Sequence, residues 1–139
     1  MKAVLLHGGL DESFDRSVVF ARRLAESFGA RLHVLYTVGD PLSAGWTSEV
    51  SAERMPEVHQ AMESEARQRL AAIIPIDEQE QLGIVIALET GNAEEEVPRY
   101  ANSQGIDLVI VQAREGDEKA SDLARAVLDG AHCAVLVLR

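Results

Sequence analysis

Short apolar runs alternate with helix-length stretches along this chain, and that alternation restricts it to very few architectures. Runs with period-two or continuous apolar character occupy residues 3–6 (AVLL), 32–38 (LHVLYTV), 84–88 (IVIAL), 108–111 (LVIV) and 134–138 (AVLVL), and their β-branched content predicts five strands. After the first run, Phe14, Val18, Ala21, Leu24 or Ala25, and Phe28 recur on one helical face, with Gly29 placed to end the helix. Residues 56–74 predict a second helix, with Val58, Met62, Ala66, Leu70 and Ile73 along one side, Pro56 in its first turn and Pro75 as its stop. Asn92 is placed to cap a third, running through Val97 and Tyr100, in which Pro98 must fall outside the hydrogen-bonded interior or bend the helix. Ser121 is placed to cap a fourth, containing Leu123, Val127 and Leu128.

Strands separated by helices imply parallel pairing, because a right-handed crossover between parallel strands needs a connection of helix length. The expected fold is therefore α/β: a single doubly wound, Rossmann-like, five-stranded parallel sheet with helices on both faces and strand order 3-2-1-4-5. The segment 39–50 (GDPLSAGWTSEV) has turn chemistry without periodicity and carries the only tryptophan, Trp46, so a mobile surface loop is expected there.

At 139 residues, 47% of them hydrophobic, the chain suits one domain spanning residues 1–139. Its longest apolar stretches, AAIIPI and CAVLVL, fall far short of the roughly 20 residues a membrane span needs, and no basic segment leads into a secretory apolar core. A cytoplasmic location with no membrane partner is expected. Net charge is −10, with carboxylates clustered at 94–96 and 115–118, a surface that repels nucleic acid backbones. The one cysteine, Cys133, has no partner for a disulfide and sits beside an apolar run, so it reads as a small buried hydrophobe. Neither cysteine nor histidine spacing suggests a metal site.

The stretch HGGLDES (7–13) resembles the SGGLDS phosphate loop of the ATP pyrophosphatases, with His7 in place of serine and Glu12 splitting the Asp-Ser pair. Over nearly its whole length, however, the chain resembles the universal stress protein family. The matching pieces are GARLHVLYTV (29–38), TGNAEEEV (90–97), GIDLVIVQAREG (105–116) and AVLDGAHCAVLVLR (126–139). The two families share a related nucleotide-binding fold, adenine nucleotide alpha hydrolase-like, so a GGLD in the first loop does not by itself imply adenylation chemistry. An adenylating enzyme of the pyrophosphatase type stays a remote alternative.

In such a sheet the ligand crevice lies at the carboxyl ends of the strands where the winding reverses, here between the first and fourth, so that residues 7–13 and 112–121 face each other. The resemblance implies a vestigial nucleotide pocket with Gly8, Asp11, Val38, Arg114, Gly116 and Ser121 as its candidate residues. The aspartate expected after the first strand falls at His7 or Gly8 without a gap and at Asp11 with a two-residue insertion, and Val38 matches the valine whose backbone meets adenine. After the fourth strand, the ATP-binding branch has a glycine, two residues, a second glycine, nine residues, then glycine and a hydroxyl residue. Here Gln112 replaces the first glycine, Glu115 lies at or next to the second, Gly116 is shifted, and Ser121 and Asp122 stand at the last pair. Phosphates would have to approach Glu115, Asp117, Glu118 and Asp122 with only Arg114 and Lys119 in compensation, which disfavours tight ATP binding.

His7 is either a site residue at the crevice mouth or a strand-end histidine bonded to backbone. Ser13 and Ser17 lack a partner histidine at any nucleophile spacing, and no turnover is expected. No cofactor is required, although ATP or AMP remains possible. The expectation is a regulatory or interaction module, with an adenine-nucleotide sensor as the alternative. By the same resemblance the final strand makes a homodimer through Val135 and Val137, and a protein partner of unknown identity completes the picture.

Overall fold

The computed structural model describes residues 1–8, 13–38, 55–113 and 116–139, with backbone alone at 13, 38, 55, 56, 58 and 59. Five strands, β1 (Ala3–His7), β2 (Arg31–Val38), β3 (Val85–Thr90), β4 (Leu108–Gln112) and β5 (Ala134–Leu138), form one parallel sheet in the order β3-β2-β1-β4-β5. The helices are α1 (Ser13–Phe28), α2 (Met55–Ile73), α3 (Ile76–Leu82), α4 (Ala93–Ser103) and α5 (Glu118–Gly130). Trp46, Asp11, Arg114 and the expected loop at 39–50 lie outside the described residues.

Alternation along each strand builds a core on both faces. Val4, Leu6, Val34, Tyr36 and Ile110 meet Phe14, Val18, Ala21 and Ala25 of α1 and Ala66 and Leu70 of α2. Leu5, Leu35, Val109 and Val111 meet Val97, Tyr100 and Ala101 of α4 and Ala124 and Val127 of α5.

Several expectations need correction. Phe28 is 55% exposed, one residue before Gly29 (φ 60°) reverses the chain, with Ala30 N bonding Ala25 O at 2.8 Å. The buried isoleucine at the end of α2 is Ile74 rather than Ile73, and Val58 lies outside the described side chains. Pro75 both ends α2 and starts α3, a helix the apolar pattern misses. Its signature is proline at the entry, Asp77 and Glu78 in the first turn and Gly83 (φ 63°) just past the end. Asn92 does cap its helix, accepting from Glu94 N at 2.9 Å, and of the two places open to Pro98 the structure has it inside α4. For α5 the cap is Asp117, whose carboxylate accepts from Ala120 N at 3.1 Å, and Ser121 falls within the first turns. Aspartate wins there because its ionised side chain adds a charge interaction with the helix N-terminus.

Candidate functional site

The winding reverses between β1 and β4, so the crevice lies at their carboxyl ends, where His7 and Gly8 leave β1, Gln112 ends β4 and α5 begins. These residues do not all converge. His7 shares a face with Leu5 and therefore points to the α4 side, whereas Gln112 shares a face with Ile110 and points to α1.

On the α4 side, His7 Nε2 and Thr37 Oγ1 share a hydrogen bond of 2.8 Å that links β1 to β2. The partner is a side-chain hydroxyl and not the backbone. Burial lowers the His7 pKa to about 4, so the imidazole is neutral at physiological pH and brings no positive charge for a phosphate. Gly8 is buried, its N–H bonds Leu35 O at 3.4 Å, and a Cβ there would lie 2.7 Å from Phe14 Cδ2. A glycine is needed at this position for close approach of an aromatic ring, whatever else the loop does.

On the α1 side, the Gln112 amide donates to Oγ of Ser17, a residue only 2% exposed. A full-length side chain thus stands at the first position after the apolar part of β4 and reaches across to the helix. Sequence reasoning named Gln112 only as a departure from glycine. The signal available was alternation, which puts residue 112 on the same face as Ile110 and hence under α1.

The α5 end of the crevice is acidic. Asp117 occupies the helix N-terminus with its own carboxylate, and Glu118 and Asp122 stand exposed near it with Lys119. Free N–H groups at a helix start are what would hold a phosphate, and here one is already taken by an anion of the chain itself. Gly116 is exposed with φ 82°, and Ser121 is half-buried with its N–H committed to Asp117 O at 3.2 Å. Val38 ends β2 in register with Thr90, its side chain lying outside the described set.

Farther from the crevice, His33 Nδ1 and Tyr100 Oη share a 2.8 Å hydrogen bond between β2 and α4, and burial followed by the nearby Arg31 charge lowers the His33 pKa. The Tyr36 ring packs against Phe14, its buried hydroxyl has no hydrogen-bond partner among the described residues, and burial pushes its pKa up. Cys133 is half-buried, and burial likewise raises its thiol pKa. Among the described residues no group of three or more His, Cys, Asp or Glu is placed to hold a metal ion, and no helix is long and apolar enough to cross a membrane.

The sequence pattern of the universal stress protein family matches residues 2–139. The chain belongs to that family. Its fold recurs in the universal stress protein UspA from Lactobacillus plantarum, 18% identical, with a TM-score of 0.67 over 99% of this chain and 97% of that one. A universal stress protein solved in complex with cAMP is 17% identical, with a TM-score of 0.63 over 99% and 96% of the two chains. A putative universal stress protein from Pseudomonas aeruginosa UCBPP-PA14 is 24% identical, with a TM-score of 0.60, and there 99% of this chain covers 47% of the other. No curated protein matches in sequence. At these identities the solved structures establish the fold, a five-stranded α/β sheet typical of universal stress proteins, and family membership brings a stress-response domain.

Proposed function

We propose that this universal stress protein is a cytoplasmic regulatory or interaction module that does not bind ATP tightly and does not turn over substrate. The observation that carries the reading is Asp117: its carboxylate caps α5 at the point where a nucleotide phosphate would otherwise meet free backbone N–H groups. The neutral His7 and the exposed Glu118 and Asp122 support it, since none of them compensates a phosphate charge. Gly8, Asp11, Val38, Arg114, Gly116 and Ser121 are, on this reading, the remains of a nucleotide pocket. The module acts as a homodimer through Val135 and Val137 of the edge strand β5, a reading supported by the outer edge of that strand, which is unpaired among the described residues.

A second reading, an adenine-nucleotide sensor, is favoured by the relative solved with cAMP, a ligand with one phosphate charge instead of several. Calorimetric titration of nucleotide-stripped protein with ATP, AMP and cAMP in magnesium separates the two. The module reading expects no ATP binding up to millimolar ligand. Low-micromolar ATP affinity overturns it, and binding confined to AMP or cAMP installs the sensor.

A further inference from the structure

The helices cover the two faces of the sheet unequally. α1 packs over β1 and β2, while α5, the described helix that packs on β5, lies on the opposite face. On the α1 side of β5, Ala134 is exposed and Leu136 and Leu138 are only half-buried. One flank of α1 faces this strand, as the bond from Gln112 of β4 to Ser17 fixes, and the other faces α3, as the 3.0 Å ion pair between Arg22 and Glu78 fixes. Phe20, three residues after Ser17, and then Leu24 and Phe28 at spacings of four continue along the β5 flank, and Phe20 is 41% and Phe28 55% exposed. The result is an apolar shelf with β5 as its floor and α1 as its wall.

A helix is about 10 Å wide and strands lie about 4.8 Å apart, so a further helix laid beside α1 would rest on β5 and overhang the sheet edge. Along the outer rim, Arg16 and Arg23 interleave with Phe20 at helical spacing. Both are exposed and in no ion pair among the described residues, which leaves the rim basic. A basic rim beside exposed aromatic rings favours a partner of opposite charge. Phenylalanine and arginine together are also what interface cores favour.

The geometry points to a docking shelf for an amphipathic helix of a partner protein, apolar where it meets Phe20, Phe28, Leu136 and Leu138 and acidic where it meets Arg16 and Arg23. This names the partner chemistry of the interaction-module reading and rests on it. A second copy of the chain fits less well, because a two-fold axis through the shelf would set the arginine rim against itself.

The test uses the full chain and a fluorescein-labelled helical peptide of about 18 residues, with leucines at spacings of three and four and glutamates elsewhere. Anisotropy is expected to report saturable binding that Phe20→Ala and the pair Arg16→Glu with Arg23→Glu each weaken roughly tenfold or more. The charge-reversed pair should instead prefer the same peptide with lysines for glutamates. These side chains are exposed, and an unchanged melting temperature certifies that each variant folds. Undiminished glutamate-peptide binding by the charge-reversed protein overturns the shelf, as does absence of peptide binding. A dimer in light scattering that Phe20→Glu dissociates overturns it too, by making the shelf a self-interface. Micromolar ATP binding would remove the module reading itself, whereas failure of the peptide without ATP binding removes the shelf alone.

Discussion

The Gln112 amide donates a hydrogen bond to Ser17 Oγ, joining the end of β4 to the second turn of α1 beside the point where the winding reverses. Ser17 is 2% exposed, so its hydroxyl has little access to replacement water. Gln112→Ala is expected to cost about 1 kcal/mol, the net worth of one such bond, read as a lower urea midpoint at unchanged slope. Because Asp117 still caps α5, the module reading expects this variant to show no ATP affinity either.

Gly8 and Phe14 make a second close pair in the same region. A Cβ at residue 8 would stand 2.7 Å from Cδ2 and 3.0 Å from Cε2 of a ring that is fully buried, and so cannot swing into solvent. Gly8→Ala is expected to destabilise the protein by roughly 1–3 kcal/mol through overpacking. Phe14→Leu, itself costly, should remove most of the added penalty in the double variant, measured as a coupling energy in a denaturation cycle. Simple additivity of the two costs would place the strain elsewhere.

The histidines set an acid limb. Burial brings His7 from 6.5 down to about 4, and burial with the Arg31 charge lowers His33 as well. Between about pH 4 and 6.5 the unfolded chain therefore holds a proton at residue 7 that the native protein refuses. Stability is full above 6.5 and falls as pH drops through that window, at no more than about 1.4 kcal/mol per pH unit from one site. His7→Gln, which keeps a hydrogen-bonding group for Thr37 and cannot titrate, should flatten this limb in urea midpoints measured across the window. An unchanged slope would assign the acid sensitivity to other groups.

How much of this was legible in the residues follows from which forces are local. The strands and the buried stripe of α1 were readable because hydrophobic periodicity is itself the cause of burial, and the order of the sheet follows from parallel crossovers. α3 was not, because Pro75 satisfies a stop and a start equally and only the left-handed Gly83 seven residues after Ile76 tells them apart. The start of α5 shifted from Ser121 to Asp117 because both residue types cap helices, and only the carboxylate adds a charge interaction with the helix N-terminus. At the site, Gly8 and the broken glycine pattern after β4 could be named from sequence. The Ser17–Gln112 and His7–Thr37 pairs could not, since each joins residues 95 or 30 positions apart whose proximity exists only once the sheet is assembled.

The homodimer is tested at the sheet edge. Among the described residues β5 pairs with β4 alone, leaving its outer N–H and C=O groups available for another strand, and Val137 is 37% exposed on it while Val135 is half-buried against the α4–α5 core. Such pairing runs in the plane of the sheet, so it leaves the shelf beside α1 open. Size-exclusion chromatography with light scattering at high micromolar concentration is expected to give twice the monomer mass. Val137→Lys should halve that mass, because a charge at the edge opposes strand addition, while shifting the unfolding free energy of the monomer by no more than about 0.5 kcal/mol, as at other exposed positions. Val135→Lys is the harsher control, since it also buries a charge in the core and should lower the melting temperature. A wild-type protein that runs as a monomer, or a Val137→Lys dimer of undiminished mass, would move the assembly surface away from β5.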